Sequence, residues 1–161
     1  TGSSSMPHKR NPELCERAYV GNTIGQANAV SDRLLDLRAC KLPGAKLDGK
    51  TLSGALMADG VFDGASMTEA VLSKAYARGA SFKGANMANA VLDRLDWTGA
   101  DLSGVNFTNA VITGGLGLET VTFDDKTIFE DALIGNEDAK KLCLNPTLRG
   151  VPRSQVGCRG G

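Results

Sequence analysis

Aromatic side chains are scarce in this chain. Five Phe, two Tyr and one Trp make up 5% of 161 residues, although 42% of the residues are apolar. A globular core of that volume normally uses more large side chains, so a core of small residues must be narrow, as in a stacked coil. Histidine occurs once, at His8, and the four cysteines contain no CxxC spacing, which argues against zinc, and no metal or cofactor is expected. No apolar run approaches the roughly 20 residues needed to cross a bilayer, so direct membrane insertion is not expected. No cleavable apolar segment stands at the start either, and any targeting address is expected to lie outside this sequence. Charge of one sign is also missing. Eighteen basic residues balance eighteen acidic ones, which gives no electrostatic reason for a nucleic-acid or anionic-membrane partner. The distribution is mildly uneven: the stretch 45–134 carries seven basic and twelve acidic groups, and both flanks are net basic.

What is present is a repeat. From residue 45 the text reads AKLDG KTLSG ALMAD GVFDG ASMTE AVLSK AYARG ASFKG ANMAN AVLDR LDWTG ADLSG VNFTN AVITG, fourteen five-residue units without a slip. Their central residues are Leu47, Leu52, Met57, Phe62, Met67, Leu72, Ala77, Phe82, Met87, Leu92, Trp97, Leu102, Phe107 and Ile112. Alanine stands two positions earlier in ten units and glycine two positions later in eight. A period of five fits neither the 3.6 of a helix nor the 2 of an alternating strand.

The pattern resembles the pentapeptide-repeat family, A-(D/N)-L-x-x. That resemblance implies an all-β, right-handed quadrilateral solenoid in which four units make one coil of about 20 residues and coils stack at roughly 4.8 Å. The central residue and the small residue two before it point inward, with turns at the corners. Residues 20 apart should then share a column. Phe62 falls against Phe82 in the column that ends at Leu102. Other columns run Leu47, Met67, Met87, Phe107 and Leu52, Leu72, Leu92, Ile112. In the last, Leu37, Met57, Ala77, Trp97, the one small central residue lies beneath the one oversized residue, as conserved core volume would require. After Ile112 the count breaks at Gly114–Gly117. Leu118 and Phe123 resume one residue late, and Phe129 and Ile134 one later still, so two single-residue bulges at corners are expected. Lys50, out of pattern at an inward position, is expected to lead its ammonium out near the open end, since burying the charge is costly.

A solenoid needs caps on its first and last coils. The domains expected are an arm at 1–11, an N-terminal cap at 12–34, the solenoid at 35–135, and a helix and disulfide loop at 136–161. Pro12 suits the start of a short helix, and Asn136 reads as the N-cap of a second, with acid first and base last. Cysteines fall two to each cap, Cys15 with Cys40 and Cys143 with Cys158. Three pairings are possible; pairing within each cap is geometrically simplest, with free buried thiols the alternative. Such bridges close loops of 16 to 26 residues, worth about 3 kcal/mol each, and imply an oxidising compartment.

Outside the repeat, CERAYVGNTIGQANAVSDRLLDLRAC (Cys15 to Cys40), GKTLSGALM, MTEAVLSKAYARGASFKG, FEDALIG and the terminal GCR resemble plant and algal thylakoid-lumen pentapeptide-repeat proteins. The resemblance implies a lumenal chloroplast protein without catalytic residues. Its expected partner is a protein, a photosynthetic membrane complex such as photosystem II or an assembly intermediate met at its lumenal face. Residues 2–12, GSSSMPHKRNP, resemble the signature loop of the adenylosuccinate lyase and fumarase superfamily, which would make Ser3 or Ser4 a base and set Lys9 and Asn11 at a substrate carboxylate. Nothing of that helical fold follows, and an isolated serine has no means of lowering its pKa, so the string is read as a solvated arm and the chain as a non-enzyme. Asp63, Glu69, Asp93, Asp96 and Asp101 stand at outward positions and are read as a solvated face. The interspersed Lys74, Arg78, Lys83 and Arg94 make it a poor imitation of DNA, the third function weighed. Tyr76 is outward, and an exposed tyrosine on a rigid ladder is a reasonable contact anchor, although a stray surface aromatic is commoner.

Overall fold

The computed structural model describes residues 12–21 and 35–160. Ser3, Ser4, His8, Lys9 and Asn11, together with most of the N-terminal cap, 22–34, lie outside the described residues.

Single-residue parallel bridges recur at a separation of 20, beginning Asp36↔Leu56, Lys41↔Val61, Lys46↔Ser66 and Thr51↔Val71. Four bridge columns per turn give the shaft four sides. Each outward bridge residue bonds the coil below through both backbone groups: Val61 donates to Cys40 O at 2.8 Å and accepts from Leu42 N at 2.7 Å. The central residue bonds the coil above, as Phe62 N does to Ser81 O at 2.7 Å. Every side of every inner coil is therefore satisfied in both directions, although each contributes only one or two residues of strand.

The corners explain why the units are five residues long. The N–H of Ala65 closes on the carbonyl of Phe62 at 3.0 Å, and the same three-residue closure recurs around the shaft. Only the third residue of each such turn has positive φ, the signature of a type II turn. All fourteen units obey this. Eight use glycine, and the others place Asp59, Glu69, Lys74, Asn89, Arg94 and Asn109 at φ of 55–62°. Register overrides residue preference at Glu69, Lys74 and Arg94, because a changed corner would shift every later column.

Inside, the ladder is continuous. Leu47, Phe62, Met67, Leu72, Phe82, Met87, Leu92, Trp97, Leu102, Phe107 and Ile112 are all buried, and alanines alternate with them. Phe62 and Phe82 stack at 5.3 Å between centroids and 15° between planes. Ala77 and Trp97 are both buried in one column, and Phe82 meets the indole edge-on at 6.0 Å. Lys50 is half-buried in the first coil.

The two insertions sit in the fifth coil. Bridge separations grow from 20 at Asp96↔Leu116 to 21 at Asp101↔Thr122 and 22 at Asn106↔Ile128. Gly117, at φ +76°, makes the first bulge: its Cβ would lie 2.6 Å from the Cα of Thr98, so no other residue fits without displacing backbone. The chain then re-enters register as β1 (Val111–Ile112) pairs in parallel with β2 (Leu133–Ile134).

Helices lie at both ends. At the start are α1 (Pro12–Cys15) and a 3-10 turn (Glu16–Tyr19); at the finish are α2 (Asn136–Cys143) and α3 (Gly150–Val156). Disulfides join Cys15 to Cys40 and Cys143 to Cys158, with Cα separations of 5.6 and 5.5 Å. The expectation for Asn136 needs correction. Gly135 is the N-cap and Asn136 the first helical residue, because Asp138 is drawn back over the helix start to bind the shaft. The second C-terminal helix, α3, was not foreseen.

Candidate interaction surface

No reacting cluster forms among the described residues, and no group of three or more His, Cys, Asp or Glu there could hold a metal ion. The apolar void bounded by Trp97, Phe107, Leu118 and Phe129 measures about 10 Å³. Small-molecule sites are typically ~300–1,000 Å³, so this void is a packing defect beside an indole N–H without a hydrogen-bond partner. Two open clefts of about 500 and 440 Å³ lie along the C-terminal helices, beside Arg153 and beside Cys158, and the rest of the surface is the set of outward columns.

One column runs Asp36, Leu56, Tyr76, Asp96, Leu116. Tyr76 is 50% and Leu116 54% exposed, each with both backbone groups bonded to the coil below. Asp96, expected on the solvated face, is buried instead, and this corrects the reading above. Arg78, one coil below, reaches up to its Oδ2 at 2.8 Å, while the hydroxyl and N–H of Thr98 donate to Oδ1. Burial pushes the Asp96 carboxyl up, but the Arg78 guanidinium and the Thr98 donors outweigh it and leave the pKa below the usual value. Tyr76 thus stands over Leu56 and beneath a fixed ion pair. The other acids expected outward are half-buried or exposed. Asp93 is held by Arg94 and Ser73, and Lys83 approaches Asp101 at 3.7 Å.

A second column, Thr51, Val71, Val91, Val111, Leu133, follows from the same bridges and was missed in the sequence. The signal was present, because reading the residue before each central one, 20 apart, yields it directly. Three valines stand half-buried in line and Leu133 is 65% exposed.

The C-terminal end is closed by side chains. Where a sixth coil would supply acceptors, Thr147 Oγ1 takes the N–H of Phe123 at 2.9 Å and Gln155 Oε1 that of Phe129 at 2.8 Å. Buried Asn145 donates to the carbonyls of Leu118 and Val121, at 2.9 and 2.7 Å. Asp138, 3% exposed, accepts from the N–H groups of Gly114 and Gly115 at 2.9 and 2.7 Å. Four polar side chains thus substitute for the missing coil.

A shaft of stacked five-residue units with helices at its ends defines a class of repeat protein. Residues 36–73, 51–92 and 85–115 match the Pentapeptide repeats family in 8 copies, and the chain is a pentapeptide-repeat protein. A stretch of 67 residues is 57% identical to the thylakoid lumenal 17.4 kDa chloroplastic protein of Arabidopsis thaliana; it spans 40% of this chain and 28% of the relative. That likeness assigns the chain to the chloroplast thylakoid lumen, and its two disulfides suit an oxidising compartment. Among solved structures, a pentapeptide repeat protein from the Arabidopsis thaliana thylakoid lumen aligns with TM-score 0.51 and 23% identity over 76% of this chain and 91% of its own. One from Nostoc PCC 7120 aligns with TM-score 0.50 and 20% identity over 81% and 89%. Likeness at that identity carries the fold, a right-handed β-solenoid.

Proposed function

We propose that the chain is a non-enzymatic scaffold that docks on a photosynthetic complex of the thylakoid membrane, photosystem II or one of its assembly intermediates, from the lumenal side. The observation that carries this is the column in which Tyr76 and Leu116 stand exposed while both backbone groups of each are fixed by hydrogen bonds to the coil below. A partner meeting such a surface orders few groups on binding, which lowers the entropic cost of association. Tyrosine adds a large apolar body with a polar tip, a combination enriched in binding hot spots. The match to a lumenal relative supports the compartment, and the family is generally non-enzymatic. The test is co-migration of the tagged chain with a photosynthetic complex on a native gel after gentle solubilisation. Wild type should co-migrate, and Tyr76→Ser combined with Leu116→Ser should run free while keeping its melting temperature. Recovery of the wild type solely as a free chain overturns the reading.

A further inference from the structure

The column Val71, Val91, Val111, Leu133 lies on the side of the shaft next to the Tyr76 column, across the corner Ser73–Lys74. We propose that this side is a self-association surface, on which a second copy of the chain packs about a two-fold axis parallel to the shaft. The argument rests on the two rims. Along one corner stand Asp48, Glu69, Glu130 and Asp131, with Asn89 and Asn109 between them and no base. Along the other stand Lys74, Asp93 and Arg94. Arg94 is occupied by Asp93, at 2.8 Å, which leaves Lys74 as the cation of that rim without an ion pair among the described residues. Glu69 and Lys74 are exposed and belong to the same coil, at opposite ends of one side, each at a turn position with φ +62°.

Two flat faces can meet about a two-fold axis in either of two ways. If the axis runs across the shaft, each rim meets its own copy, and four acids face four acids. If the axis runs along the shaft, the acidic rim of each copy lies over the basic rim of the other at equal height. Glu69 of one copy then faces Lys74 of the next, twice by symmetry, with the valine columns between. Like charges placed opposite one another repel, so the charge pattern selects the second arrangement. A two-fold contact of this kind is closed and makes a dimer.

The area limits the strength. Five coils at ~4.8 Å make a face about 24 Å long. One side between corners is at most about 10 Å wide, giving a buried total well under the ~1,200 Å² of stable complexes. The dimer is therefore of the weak class, and the Tyr76 sides of both copies remain outside it.

Sedimentation equilibrium of the intact disulfide-bonded chain from 5 µM to 1 mM tests this, with melting curves as the control for folding. A reversible dimer in the upper part of that range is expected. Glu69→Lys or Lys74→Glu alone should weaken association at least tenfold, because each sets like charges opposite one another. An equimolar mixture of the two variants should restore it, since a mixed dimer regains both opposite-charge pairs, and the double variant should restore it alone. Val91→Lys should abolish it. A wild type monomeric at 1 mM overturns the proposal, as does a dimer indifferent to the charge reversals or one lost only in Tyr76→Ser. Were the wild type monomeric, and Val91→Lys nevertheless lost from the native-gel complex, this side would take a different protein and the two-fold reading would fall. A wild type that dimerises but never co-migrates with a photosynthetic complex would instead overturn only the docking function.

Discussion

Asp138 offers the sharpest test of how the shaft is finished. Its carboxylate is 3% exposed and accepts two backbone N–H groups, from Gly114 at 2.9 Å and Gly115 at 2.7 Å. Replacing it with alanine leaves the buried Gly115 N–H without a partner and turns the half-buried Gly114 N–H toward water. A hydrogen bond to a charged group contributes about 1.5–3 kcal/mol, and the more exposed of the pair less. Removing the carboxylate also relieves its own desolvation, so the net loss should be about 2–3 kcal/mol. At ~2–4 °C per kcal/mol for a chain of this size, the melting temperature should fall by roughly 4–12 °C. Stability in a repeat array is shared between neighbours, so the loss should be local. Hydrogen exchange should accelerate at Gly114, Gly115 and the fifth coil before it does at Phe62 or Met67. Asp138→Asn should fall between, since its amide can accept once but aims a donor at the other N–H. A stability change below about 0.5 kcal/mol, or uniform acceleration along the shaft, would refute the idea that this carboxylate replaces a coil.

Phe82→Ala removes the stacked partner of Phe62 and the edge contact with Trp97, and should cost about 3–5 kcal/mol in denaturant titration, against under about 1.5 for Phe82→Leu. Gly84 and Gly117 separate two penalties at similar φ. Nothing lies within 4 Å of a Cβ at Gly84, so Gly84→Ala should lose about 1–2 kcal/mol from backbone alone, whereas Gly117→Ala also strikes Thr98 and should lose at least about 3. The Asp96 carboxyl is held below its usual value in the folded chain, so its contribution is fully present above the unfolded value of about 3.9 and is lost as the pH falls toward the folded one. Melting temperatures from pH 6 to pH 2 should therefore drop more steeply for wild type than for Asp96→Asn.

How much of this could be read in the amino-acid text depends on the range of the contact. The interior columns were legible because a five-residue period fixes which side chains point inward, and one coil length then fixes which of them touch. Phe62 against Phe82 and the slips at Gly117 and before Ile128 follow from counting alone. Asp96 was misread because its burial depends on Arg78, eighteen residues away, a covering side chain that no period announces. Asn136 was misread because a plausible cap residue competes with Asp138, whose partners at Gly114 and Gly115 lie in the shaft and not in the helix. Helix α3 carries Gly150 and Pro152 and no apolar period, so only its docking through Gln155 and the Cys143–Cys158 bridge accounts for it. The valine column was legible and overlooked, since attention to inward residues hid the equally regular outward ones.

That regularity bears on where function can reside. Inward positions are constrained by volume: Ala77 answers Trp97, and a change at either disturbs the coils above and below. Corner positions are constrained by φ, to the point that Glu69 and Lys74 accept a conformation that costs L-residues about 1–2 kcal/mol. The outward bridge residue is the least constrained, because its backbone is bonded to the coil below whatever side chain it carries. Lys46, Ser66, Asn86, Asn106 and Ile128 in one column, and Asp36, Leu56, Tyr76, Asp96 and Leu116 in another, show how widely such positions vary within one fold. A surface can therefore be changed residue by residue without altering the shaft that displays it. Substitutions at Tyr76 or Leu116 should consequently move binding and leave melting temperature nearly fixed, while those at Phe82 or Asp138 should do the reverse.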